Sequence, residues 1–117
     1  MSAPLINKGL IAGQWVGAAS GREFAVVNPA TGQTIAMVAN MGREETLAAI
    51  QAAYDALPKW RAATSRERST KLRAWFELIV QNADSLASLM TSEQGKPLAE
   101  AKGEVLYGAS FVEWFAE

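Results

Sequence analysis

Apolar and polar positions follow two different rhythms along this chain, and the change falls near Gly42. Before it the spacing is that of short strands. Leu10, Ile11, Trp15 and Val16 flank Ala12-Gly13, a pattern that predicts a small hairpin, and Ser20-Gly21 then breaks the chain. Residues 23–27 and 34–38 are rich in apolar and β-branched side chains. Between them stands Asn28-Pro29-Ala30-Thr31-Gly32, where proline presets φ and glycine permits a positive φ, so a second hairpin is predicted.

After Gly42 the apolar residues recur at helical spacing. Leu47, Ile50, Tyr54 and Leu57 share one face of a first helix, which Pro58 is expected to stop. Thr64 with Glu67 three residues on has the form of a capping box, and Leu72, Trp75, Phe76 and Ile79 mark the helix that follows. Asn82 is expected to cap or kink its continuation. Leu86, Leu89 and Met90 carry the apolar face to Gly95, suited to a left-handed cap, and Pro97 can open the next helix from its first turn. There are no internal repeats and no low-complexity segments.

The last helix is apolar on two sides. Leu98, Ala101, Val105, Ala109, Val112 and Ala116 form one side. Tyr107, Phe111, Trp114 and Phe115 gather on the other beside Glu100 and Glu104, leaving a narrow polar strip with Lys102, Ser110, Glu113 and Glu117. Such a helix needs two covers. Its pattern is still running at Glu117, without Gly or Pro, so we expect residues 1–117 to be an incomplete domain, hairpins over about 5–39 and helices over about 43–117.

Composition narrows the chemistry. Half of the 117 residues are hydrophobic, enough for one core, and 11 Lys and Arg nearly balance 12 Asp and Glu. A net charge of −1 offers no field to draw nucleic acid or anionic lipid, so neither is an expected partner. The first apolar stretch is broken by Asn7, Lys8, Gly9 and Gly13, unlike a signal peptide, and no run approaches the ~20 apolar residues of a membrane helix. The absence of cysteine agrees with a reducing, cytoplasmic setting. With neither His nor Cys, the chain has no thiolate nucleophile, no soft metal ligand and no side chain of near-neutral unperturbed pKa. Most catalytic schemes are thereby excluded for this chain by itself.

The remaining motifs weigh toward structure. Gly13, Gly17 and Gly21 are evenly spaced but match neither the dinucleotide fingerprint nor the P-loop, and read as turn punctuation. The four tryptophans, Trp15, Trp60, Trp75 and Trp114, sit on apolar faces or beside turns and are expected in a core. Glu100 and Glu104, one turn apart, have the spacing of a carboxylate pair, but ordinary ion pairing is the commoner fate of such residues.

Taken in order, Leu10-Ile11-Ala12-Gly13-Gln14-Trp15, Asn28-Pro29-Ala30-Thr31-Gly32, Pro58-Lys59-Trp60-Arg61 and residues 91–97 (Thr-Ser-Glu-Gln-Gly-Lys-Pro) resemble the opening of the aldehyde dehydrogenase superfamily. Residues 93–104 and 111–117 most resemble its succinate- and glutarate-semialdehyde branch. The resemblance spans the chain after about residue 5 and implies an α/β family fold, of which this piece is the mostly helical, hairpin-led amino-terminal part. In that family a cysteine thiolate attacks the aldehyde, the adduct passes hydride to NAD or NADP, and a glutamate-activated water releases the acid. By the resemblance, the nucleophile, base, oxyanion-binding asparagine and cofactor glycines all lie beyond residue 117, so no catalytic or cofactor-binding residue is assigned here and the piece alone is expected to bind no cofactor.

The resemblance also implies a scaffold role, with the last helix beside a substrate tunnel that Tyr107 and Phe111 would line for a small semialdehyde. It further implies a monovalent-cation site made by backbone oxygen near Val27 and the carboxylate of Glu93, and a homo-oligomer at full length. A different reading remains beside it: a free-standing, non-catalytic helical module that binds partners through the aromatic side of its last helix. A reading frame continuing past Glu117 into glycine-rich motifs and a cysteine would favour the enzyme, and a stop there the module.

Overall fold

The computed structural model describes residues 5–117, and the chain divides into two compact units. One unit comprises residues 5–27 and 33–62. It holds four short strands and the first helix. Strands β1 (Gly9–Ile11) and β2 (Gln14–Val16) pair antiparallel through Ala12-Gly13, where both residues take positive φ, 50° and 78°. Positive φ at both central positions is the twist-matched geometry of a two-residue hairpin, which glycine adopts freely and alanine only under strain.

Strands β3 (Glu23–Val27) and β4 (Thr34–Ala39) form the second antiparallel pair. Val26 faces Ala36 and Val27 faces Thr34, so Ile35 is passed over in a bulge at the end of the ladder. Backbone groups tie the end of β4 to the segment before β1 and close the open end of the second hairpin. The Ala39 amide donates to the Asn7 carbonyl at 2.9 Å, and the Asn40 amide to that of Arg22 at 2.8 Å.

Helix α1 (Arg43–Ala62) does not stop at Pro58. Proline's fixed φ is itself helical; the ring removes one hydrogen bond but leaves the following amides free to reach carbonyls four residues back. The helix therefore runs one further turn. Its amino end is clamped by Glu45, which accepts from the Gly42 amide at 2.6 Å and from the Ala19 amide at 2.5 Å, joining the loop after β2 to the helix start.

The second unit comprises residues 28–32 and 63–117 among those described. Its helices are α2 (Ser65–Gln81), α3 (Ala83–Gln94) and α4 (Leu98–Ala116). The capping box expected at Thr64 is present in full: the Glu67 amide donates to the Thr64 hydroxyl, and the Glu67 carboxylate accepts from the Thr64 amide at 2.7 Å. Asn82 both ends α2 and begins α3, its side-chain amide donating to the Leu78 carbonyl. Gly95 ends α3 at φ 75°, as its position suggested, and a Cβ there would lie 3.2 Å from Pro29 Cγ in the 28–32 turn. Pro97 stands one residue earlier than expected, as the N-cap of α4 rather than in its first turn.

Helix α4 packs on both α2 and α3 with the side predicted from its wheel, burying Ala101, Val105, Ala109 and Ala116 against the unit that also buries Ala83 and Ala87. These side chains are small, so the helices approach closely. No large side chain is fully buried among the described residues. The core packing expected for the tryptophans is not what the chain shows: Trp15, Trp60, Trp75 and Trp114 are all exposed, as is the Leu47, Ile50, Tyr54 and Leu57 face of α1. The sites that alanine fills have no room for an indole.

Candidate functional site

Because alanines turn one side of α4 inward, the opposite side must carry its aromatic residues outward. Tyr107 and Phe111, one helical turn apart, meet edge to face with ring centroids 5.0 Å apart and planes at 86°. Tyr107 is 65% exposed and Phe111 50%. Trp114 and Phe115 extend the surface at 76% and 72% exposure, and an open concavity is lined by Ser110, Phe111, Glu113, Trp114, Phe115 and Glu117. Every one of those residues belongs to α4 or its cap. Among the described residues a single helix thus offers an open apolar, aromatic surface.

The other candidates are placed less tellingly. Val27 ends β3 at the bulge, and Glu93 is exposed near the end of α3, so the two belong to different units. No group of three or more His, Cys, Asp or Glu side chains that could hold a metal occurs among the described residues. Glu104 is ion-paired with Lys96, and Lys102 with Asp84 at 2.6 Å. Glu104 therefore has the ordinary ion-pair role.

Two partnerships at the end of α4 were not readable in the sequence. Arg73 of α2 binds Glu113 at 2.9 Å and also Glu117, while its guanidinium stacks 5.5 Å over the Phe76 ring. One turn earlier, the Ser69 hydroxyl donates to the Ala116 carbonyl. The only sequence signal was a cation beside the apolar stripe of α2 and two glutamates one turn apart on the polar strip of α4. Nothing in a linear reading joins residues 40 positions apart.

The helix amino ends carry negative charge of their own. All four helices carry a carboxylate in the first turn: Glu44 and Glu45, Glu67, Asp84, and Glu100. Helix amino ends attract anions only where their amides are free and unopposed by negative charge. Here the amide hydrogen bonds from Ala19 and Gly42 hold the Glu45 carboxyl below the usual glutamate range. Those from the Thr64 amide and hydroxyl do the same for Glu67. The Glu45 and Glu67 carboxylates thus occupy amide donors at the amino ends of α1 and α2.

Residues 15–117 match the aldehyde dehydrogenase family. The chain belongs to this family. It is 62% identical over 107 residues to the glutarate-semialdehyde dehydrogenase of Pseudomonas putida, covering 92% of this chain and 22% of that protein. It is 57% identical to an NADP(+) succinate-semialdehyde dehydrogenase of Escherichia coli, covering 95% of this chain and 23% of the relative. The crystal structure of an Escherichia coli NADP-dependent enzyme superposes with a TM-score of 0.91 at 56% identity over 94% of this chain and 23% of that one. The fold is therefore that of an aldehyde dehydrogenase, of which the chain spans a little over a fifth of the relatives' length.

Proposed function

We propose that this chain is the amino-terminal scaffold of an NAD- or NADP-dependent dehydrogenase that oxidises succinate or glutarate semialdehyde to the dicarboxylic acid, and is an incomplete domain without the rest of that enzyme. The observation that carries the reading is the identity of 62% with a glutarate-semialdehyde dehydrogenase across 92% of the chain. Identity that high extends beyond fold to the surfaces a fold presents. In this reading the chain supplies no reacting group, since it has neither thiol nor imidazole. Its residues hold the α4 wall in place, and Tyr107 and Phe111 exclude water from one side of the path taken by a short aliphatic aldehyde.

The cation site is a proposal on the same footing, with the Val27 carbonyl and the Glu93 carboxylate as oxygen donors. So are a homo-oligomeric, cytoplasmic enzyme and the choice between the two nucleotides. No helix among the described residues is long and apolar enough to cross a membrane. The test is kinetic. The complete protein should oxidise succinate or glutarate semialdehyde with a kcat/KM well above that for acetaldehyde, and this chain alone should give no turnover above blank. Equal values for all three aldehydes would leave a general aldehyde dehydrogenase instead.

A further inference from the structure

Ser69 and Arg73 stand one turn apart on α2 and reach the final turn of α4 from the same side. The Ser69 hydroxyl donates to the carbonyl of Ala116. Arg73 spreads its fork over Glu113 and Glu117, themselves one turn apart. Val105, Ala109 and Ala116 are buried on the side of α4 that packs on α2 and α3, and side chains that small let the helices approach closely.

We propose that Arg73 and Ser69 are positioning residues, a two-point latch that sets the rotation of α4 about its axis and thereby the direction in which Tyr107 and Phe111 face. The inference rests on the reading of those two rings as a substrate wall. At 100° per residue, Glu113 lies about 200° round the helix from Phe111, and Glu117 lies about 80° from Tyr107, at the edge of the aromatic side. A rotation of about 20° would carry a ring at the helix rim, some 5–6 Å from the axis, through roughly 2 Å. Misplacements of that size matter to a bound substrate. Arg73 is 37% exposed and its Glu113 partner 46%, so the pair adds little to stability. Its contribution is geometric, and the planar fork is what lysine cannot reproduce.

Kinetics on the complete enzyme test this. Arg73→Met and Ser69→Ala should each raise KM for succinate semialdehyde, the former by roughly tenfold, with kcat and the nucleotide KM within about twofold. Arg73→Lys should recover part of the loss. A parallel fall in kcat and rise in both KM values, tracking a lowered Tm, would make Arg73 merely structural and overturn the proposal; so would no change in any of them. Tyr107→Ala and Phe111→Ala separate the two readings. If neither shifts KM, the wall is wrong, and the latch is judged by amide exchange alone. Exchange over residues 110–117 should then quicken by about twofold to fivefold in Arg73→Met while residues 98–105 keep their rates. Unchanged exchange over 110–117 would sink the latch itself.

Discussion

Gly95 carries two constraints at once. Its φ of 75° lies in the left-handed region, and Pro29 Cγ stands 3.2 Å from where a Cβ would be. Gly95→Ala should therefore cost about 1–2 kcal/mol for the backbone, with the Pro29 contact adding to it, read as a lowered urea midpoint at unchanged slope. Glu45 is a residue whose value depends on pH. Amide donors from Ala19 and Gly42 depress its pKa, so the unfolded chain takes up the proton first on acidification. Its stabilisation is fully present above the ordinary glutamate value and disappears as pH falls through the depressed one. Urea midpoints should thus drop as pH falls below the ordinary glutamate range, and Glu45→Gln should flatten that drop; an equal drop in the variant would mean other carboxylates carry it.

At the scale of elements, much was legible because the signals are local. Thr64 with Glu67, Gly95 after Met90, and the Asn28–Gly32 turn each act within five residues, and each stands where the pattern placed it. Pro58 misled because its rule is local too, yet a ring near the end of a helix removes only one hydrogen bond and the next turn can still form. The capping box gives a sharp expectation. Thr64→Ala should lower stability by about 1 kcal/mol, within a span of roughly 0.5–2, by removing the hydroxyl that accepts from the Glu67 amide and donates to the Glu67 carboxylate. Thermal unfolding by circular dichroism would measure it. Thr64→Ser should behave as the parent, and if it falls as far as alanine the hydroxyl is not the cause.

At the scale of the molecule, the buried side chains among the described residues are alanine and valine, and the four aromatic rings of α4 are exposed. Tyr107, Phe111, Trp114 and Phe115 form an apolar patch of a kind that monomers rarely leave open. Covering each such ring is worth roughly 1.5–3 kcal/mol, so copies of this chain have reason to associate in water. Sedimentation of the 117-residue chain should show oligomers or aggregate, and Phe111→Gln with Trp114→Gln should reduce them. A dispersed monomer that binds no hydrophobic dye would show that α4 turns this face inward, and would favour the free-standing module over the enzyme scaffold.

The sequence by itself determined the order of the elements, the Thr64 and Gly95 caps, the two-sidedness of α4 and, through the order of its motifs, the family. Those properties are carried by residues within a turn or two of one another, or by similarity along the line of the chain, and need no knowledge of what lies across from what. It also established that no thiol or imidazole is present, since composition is independent of fold. Only the tertiary structure decided which side of α4 is covered. Two apolar sides compete on the wheel, and the small one wins because Ala101, Ala109 and Ala116 let α4 approach α2 and α3 where rings would hold them apart. The same approach brings Arg73 to Glu113 and Ser69 to Ala116, contacts between residues 40 and 47 positions apart that exist only once the helices have packed.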